Sequence, residues 1–435
     1  MTKSDKKCAV EPKLRFPEFK RESAWAYQRL DRLSKRVTKK NTDERVTQVL
    51  TNSAERGVLS QREYFDKDIA TKGNLDGYYI VENGDFVYNP RISAAAPVGP
   101  LSRSDIDRGV MSPLYTVFRF REANTDFYKH YFKSTAWHSY LRSVSSTGAR
   151  HDRMSVTNAD FMRMPVPTPD ENEQQKIADC LGSLDDLIAA ERRKLAALRD
   201  HKQGLMQQLF PREGETRPRV RFPEFLDAPA WKEKPLSDFI ASLDAGVSVN
   251  SGDRPAYETE LGILKTSAVT DGVFEPMENK VVAEASELKR LKEPVQADSI
   301  IISRMNTPAL VGANAYVEGS YANLFLPDRL WAAKAKPGTF MRFISYILGS
   351  GSGRKALSAQ ATGTSGSMKN IAKARIFKFT ILVPELSEQE RIANCLSTLD
   401  TQISAQVNKL DALRDHKCGL MQQLFPLLIA PQHDE

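Results

Sequence analysis

Cysteine is scarce in this chain. Its four copies, Cys8, Cys180, Cys395 and Cys418, show no CxxC spacing. That argues against a structural zinc site or a disulfide framework and for reduced thiols. Histidine is as thin, with six residues, and no spacing among them suggests a metal site. No apolar run approaches the length of a membrane span. The opening MTKSDKKCAVEPK has no apolar core, so no signal peptide is expected and the chain reads as cytoplasmic. A GxxxxGK[ST] phosphate loop is missing, so the chain is not expected to bind and hydrolyse ATP itself. NPRI at Asn89 falls short of the Asn/Asp-Pro-Pro-aromatic clamp with which an amino-methyltransferase holds a flipped base, and no glycine-rich cofactor loop accompanies it. What remains is a globular composition, 41% hydrophobic and 27% charged, with net charge +7. At 435 residues there is room for two or three domains. The mild basicity is compatible with nucleic acid.

What is present is a repeat. Residues 173–211 match 388–426 without a gap, 26 of 39 positions being identical; a repeat of this kind decides the fold before any local reading. Apolar residues recur at Ile177, Leu181, Leu184, Ile188, Leu195, Leu198, Leu205 and Leu209, and steps of four and three are kept if Glu191 and Lys202 are polar members. The second copy repeats this at Ile392, Leu396, Leu399, Ile403, Leu410, Leu413, Leu420 and Leu424, with Gln406 and Lys417 as its polar members. A period of 3.5 held over about five heptads predicts a coiled-coil seam on each helix. Pro169 and the acidic run Asp170, Glu171, Glu173 suit a helix start, and Pro211 suits its end. Each helix would be roughly 55 Å long, so its natural partner is the other copy. An antiparallel pairing that sets Glu191 against Lys417 and Lys202 against Gln406 puts leucine and isoleucine opposite one another elsewhere.

A second repeat opens each half: EPKLRFPEF from Glu11 recurs as RPRVRFPEF from Arg217, followed by Trp25 and Trp231. The order is motif, globular region, long helix, and then the same three again. The two globular regions share little sequence, yet a few features are placed alike. ENGDFVYNPRISAAAPVG and VQADSIIISRMNTPALVG align Asp85 with Asp298, Arg91 with Arg304 and Gly99 with Gly312. Each reads as a short strand leaving an arginine at its end and a Gly/Pro loop beyond. SSTGARHDRMSV and QATGTSGSMKNI form matching glycine-containing loops before a last apolar strand. Mixed strands and helical patterns indicate an α/β or α+β fold, with the strand order undetermined.

These loops suit the reading of DNA. Arginine and lysine match guanine edges, and asparagine matches adenine. Arg150, His151 and Arg153 in the first copy stand where Ser365, Ser367, Lys369 and Asn370 stand in the second: one slot, two chemistries. Arg91 and Arg304 are further candidates, with ion pairs to Asp85 and Asp298 as the alternative. Lys39 and Lys40, in a basic run, are candidates for phosphate contacts or for a solvated face. His151 beside Asp152 is the one arrangement with a catalytic alternative. A rival from another class is a coiled-coil scaffold whose globular domains bind proteins.

With both repeats in place, the chain resembles the specificity subunit of type I restriction-modification systems. PDENEQQKIADCL and PELSEQERIANCL, the RDHK-x-GLMQQLFP helix ends and the RFPEF openings carry the resemblance. It implies two globular target-recognition domains, residues 25–168 and 228–384, joined by antiparallel spacer helices within 169–211 and 385–426. Segments 1–24, 212–227 and 427–435 are the opening, the linker and the tail. It also implies a non-catalytic chain that reads a bipartite, asymmetric target in double-stranded DNA. Two modification subunits carrying S-adenosylmethionine and methyltransferase chemistry, and two restriction subunits using ATP and Mg, would be its partners. Pro90 just before Arg91 departs from the family's arginine strand. Pseudo-two-fold closure predicts that Phe16 lies near Pro426.

Overall fold

The structure, a computed structural model, describes residues 10–64, 75–145, 152–363 and 368–428. Two helices are far longer than the rest: α1, Glu171–Leu209, and α2, Leu386–Leu424. The chain forms two compact units, Met1–Arg193 with Asn408–Glu435, and Lys194–Val407. Each unit therefore holds one globular region, the first half of its own helix and the last half of the other copy's helix.

In the first unit, β1 (Ala26–Arg29) pairs antiparallel with β6 (Pro165–Thr168), a two-stranded ribbon that tolerates two prolines at its edge. Strands β2 (Ser34–Arg36), β3 (Phe86–Tyr88), β4 (Leu101–Arg103) and β5 (Thr116–Phe120) make a four-stranded sheet in the order β2-β5-β3-β4. Phe86 and Phe118 stack at 5.5 Å between ring centres, and Phe120 and Phe132 close over them edge-on. Two further ribbons, Leu50–Ser53 with Gly57–Ser60 and Tyr79–Glu82 with Arg108–Met111, complete the region.

The second unit repeats this plan. Strand β7 (Lys232–Pro235) pairs antiparallel with β12 (Thr380–Val383). Strands β8 (Ile240–Ala245), β9 (Ser299–Ser303), β10 (Asn314–Val317) and β11 (Leu330–Ala335) form a sheet in the order β8-β11-β9-β10. Strand for strand this is the order of the first unit, so the shared topology survives where the sequences have diverged. SIIIS of β9 is buried at every position, as befits a strand with neighbours on both edges. Here the small ribbons are replaced by a second four-stranded sheet containing one parallel pair.

Matched aromatic clusters join each globular region to the helices of its own unit. Trp25 meets Phe127, and Phe127 meets Phe425, edge-on at 6.0 and 5.5 Å. Trp231, Phe343 and Phe210 form the equivalent cluster with centroids about 6 Å apart. Ile177, Leu181, Leu424 and Phe425 belong to the first core; Leu209, Ile392 and Leu396 belong to the second.

The RFPEF repeat now has a physical role. Arg15 donates Nε and an Nη to both carboxylate oxygens of Glu173, at 2.8 and 2.7 Å, and Arg221 does the same to Glu388 at 2.8 and 2.6 Å. Both carboxylates are buried, and they lie in the first turns of α1 and α2, where negative charge is favoured. Glu18 pairs with Lys176 and Glu224 with Arg391 in the same relation. The backbone N–H of Leu14 donates to the carbonyl of Gln423, and that of Val220 to Gln208. Each motif thus sits against the end of the other copy's helix, which gives the closure predicted around Phe16 and Pro426.

All twenty seam positions are buried or half-buried. The register between the helices, however, differs from the one drawn from the sequence. Lys417 pairs with Asp185, Glu191 pairs with Lys409, and Lys202 pairs with Asp400. The partner of Lys417 is thus six residues before Glu191. A buried charge needs an opposite charge, and residues flanking the seam supply it without giving up the seam positions to polar pairs. No helix among the described residues is long and apolar enough to cross a membrane.

Candidate nucleic-acid interface

In both units the segment leaving the central strand is laced to the segment that approaches the last short helix of the domain. After β3, Arg91 bridges Arg153 antiparallel, with Ile92 N–H on the carbonyl of Asp152 at 3.0 Å and Met154 N–H on that of Pro90 at 2.9 Å. After β9, Met305–Asn306 pairs antiparallel with Lys369–Asn370, and Ile371 N–H donates to the carbonyl of Arg304 at 2.9 Å. Arg91 and Arg153 are therefore brought together, as are Arg304, Lys369 and Asn370. Arg150, His151, Ser365 and Ser367 lie outside the described residues.

The glycines beyond these strands are required by geometry. Gly99 and Gly312 have φ of +84° and +76°, a region L side chains rarely adopt. A Cβ on Gly99 would stand 2.1 Å from the carbonyl oxygen of Asn89. That close approach turns the chain back toward β4. At Gly312, which leads into β10, a Cβ would come nearest the Leu357 side chain, at 3.2 Å, and the positive φ is what favours glycine.

The arginines are not tied to the carboxylates offered as their alternatives. Asp85 is buried and accepts from Arg119 at 2.6 and 2.9 Å, which holds the Arg119 guanidinium well above its ordinary range. Asp298 accepts from the Tyr316 hydroxyl at 3.0 Å. Arg91 is exposed, its backbone N–H capped by the Asn89 side chain at 3.0 Å. Asn89 itself also donates to the carbonyl of Asn52, so it is a turn-forming residue. Arg153 is half-buried beside Asp152 at 4.0 Å. Arg304 lays its guanidinium over the Trp331 ring at 5.3 Å, and its Nε has no hydrogen-bond partner. The contact is a cation–π one, and the unpartnered Nε is buried.

The remaining candidates are placed differently. Lys369 donates to the carbonyl of Gly363 at 2.7 Å, so its charge serves the loop first. Asn370 is exposed, and its backbone pairs with Thr362. Lys39 and Lys40 are exposed beside the Tyr79–Glu82 strand, where Ile80 N–H donates to the carbonyl of Lys39. No backbone ladder among the described residues joins them to Arg91. Four further basic residues that the sequence reading did not name lie near Arg304 or directly after the ladder: Arg329, Lys373, Arg375 and Lys378. Arg329 is exposed and its carbonyl accepts the N–H of Arg304 at 3.0 Å. The three others are exposed on Lys373–Lys378, directly after the ladder. The spacing in KNIAKARIFK was the available signal. Among the described residues, no group of three or more His, Cys, Asp or Glu is arranged to hold a metal ion.

These features define a class of protein: a duplicated α+β domain on antiparallel helices, each copy presenting arginine-bearing loops at the end of its central strand. The family model of the type I restriction modification DNA specificity domain matches residues 59–200 and 231–413, once in each copy. The chain belongs to that family, and its role at this level is recognition of DNA sequence. A curated relative, the type I restriction enzyme MjaVIII specificity subunit of Methanocaldococcus jannaschii, is 24% identical over 302 residues. That match spans 66% of this chain and 66% of the relative's length. Two solved structures share the fold. One is the S subunit of a type I restriction-modification system from M. genitalium, with TM-score 0.54, 14% identity and coverage of 97% of this chain and 100% of that one. The other comes from work on complex assembly and conformational transition of a type I R-M system, with TM-score 0.51, 17% identity and coverage of 92% and 97%.

Proposed function

We propose that each globular domain reads one half of a bipartite, asymmetric target in double-stranded DNA, and that the paired helices set the separation of the halves. The observation that carries this is the matched ladder with mismatched chemistry: Arg91 and Arg153 in one unit, Arg304, Lys369 and Asn370 in the other. One scaffold used twice with different side chains recognises two different short sequences. Half-sites one helical turn apart lie about 34–36 Å from centre to centre, a distance within the span of a helix roughly 55 Å long. The near-identical helices would dock two copies of a modification subunit, because a partner that binds one helix face finds the same face again 215 residues later.

On this reading the chain itself is non-catalytic and works in the cytoplasm. Methyl transfer from S-adenosylmethionine belongs to the modification subunits, and ATP- and Mg-dependent translocation and cleavage belong to two restriction subunits. The test is duplex binding by the complex assembled with its modification subunits, over a range of salt. Selective binding that weakens steeply with salt and is lost when either half-site is scrambled is the expected result. Binding that ignores the sequence of one half would overturn the two-half reading.

A further inference from the structure

Two of the three ion pairs between the helices do more than fix register, because each of these two is also met by a side chain from the globular domain of its own unit. In the second unit, Asp400 accepts from Lys202 at 2.5 Å and from the Tyr346 hydroxyl at 2.6 Å, and the Lys202 ammonium lies 5.2 Å from the Tyr346 ring centre. In the first unit the equivalent couple is Asp185 with Lys417, and the domain side chain that faces it is His130, whose Nδ1 is 3.9 Å from Asp185. The aromatic clusters establish the equivalence. Phe127 and Phe343 occupy the same place against Trp25 and Trp231, and His130 and Tyr346 each follow three residues later on the same helix. Each domain is therefore seated by an apolar contact and, one helical turn on, by a polar contact to an Asp–Lys couple.

The two seats are not equally closed. Tyr346 makes a hydrogen bond to a carboxylate, a strong and directional contact. His130 is buried, 4% exposed, yet its Nδ1 has no hydrogen-bond partner. We propose that Tyr346 and His130 are positioning residues that fix how each reading domain is held on its helix pair, firmly in the second unit and loosely in the first. Resting on the two-half reading above, this assigns to Tyr346 a control over spacing: which number of unread base pairs between the half-sites is accepted.

The test uses the complex assembled with modification subunits and duplexes carrying both half-sites at the native spacing or one base pair longer or shorter. Tyr346→Phe keeps the ring and removes the hydroxyl. It is expected to leave both half-site sequences unchanged while discrimination between native and altered spacing falls about tenfold, the effect of losing one hydrogen bond to a charged acceptor. Tyr346→His, which installs the first unit's side chain, is expected to relax spacing in the same direction. His130→Tyr is expected to sharpen it. Equal weakening at every spacing would mean that Tyr346 serves folding alone and would overturn the proposal. A spacing-selective wild type with unchanged variants would overturn it too, while leaving the two-half reading intact. A wild type indifferent to spacing would overturn both.

Discussion

Neutralising Glu173 should cost more than neutralising Glu388, although the two residues are repeat equivalents. Both are held by an arginine of an RFPEF motif in a bidentate pair, with side-chain exposures of 8% and 1% for Arg15 and Glu173, and 5% and 2% for Arg221 and Glu388. Removing one partner of a buried pair leaves an uncompensated charge and costs about 3–5 kcal/mol. Glutamine preserves the shape and one acceptor, so Glu388→Gln is expected near the lower end, at about 3 kcal/mol. Glu173 has a further duty, because its Oε2 also accepts from the indole N–H of Trp25 at 2.9 Å, whereas the indole N–H of Trp231 has no partner. Stranding that buried donor adds about 1 kcal/mol or more, which puts Glu173→Gln at about 4–5 kcal/mol. For units of this size each kcal/mol shifts Tm by about 2–4 °C, so the variants should separate by several degrees. Urea denaturation followed by circular dichroism measures both costs. Losses below about 1 kcal/mol for both, or a Glu388 variant weaker than the Glu173 variant, would refute the reasoning that these clamps seal the helix starts.

Three further outcomes are expected. Exchanging the charges of Asp185 and Lys417 together should recover most of the roughly 1 kcal/mol lost by either reversal, while exchanging Glu191 with Lys417 should recover nothing; unfolding midpoints decide between the registers. The titration of buried His130 is pushed down to about 4, chiefly by burial and then by the Lys417 charge. The unfolded chain, protonating near the ordinary value of about 6.5, takes up this proton first, so the first unit loses stability as pH falls from about 6.5 through 4. The loss approaches about 3 kcal/mol for this group at full protonation. His130→Leu should flatten part of that slope in urea melts at several pH values; His138, lowered to about 4 mainly by burial, keeps the rest. Arg304→Ala in the assembled complex should weaken binding about tenfold or more and relax specificity in one half of the target only, as read by fluorescence anisotropy with single-base variants.

The helices were legible because a heptad pattern constrains every third or fourth residue, and 26 of 39 identities placed the second copy on the first. Their register was not, because sliding one helix by about a heptad against the other keeps every apolar position in the seam. What decides is the flanking charges Asp185, Asp400 and Lys409, which carry no periodic signal. The strand order was illegible for a related reason: strands of three residues such as Phe86–Tyr88 and Leu101–Arg103 are too short to show alternation. Aligned Asp85 and Asp298 turned out to serve different partners, Arg119 and Tyr316, so equal sequence position did not mean equal contact. The place of Arg91 and Arg304 at strand ends was legible in the sequence; the link from Arg329 to Arg304 was not, because it is a backbone hydrogen bond 25 residues away in the chain.

The central claim is that two dissimilar domains read two halves of one site. Mapping methylated positions across the DNA of cells that carry the complete system, before and after residues 25–168 are exchanged for another recognition domain, tests it most directly. The expected result is a split motif in which one half changes while the other half stays as it was. A motif altered in both halves, or an unbroken motif from the start, would contradict it.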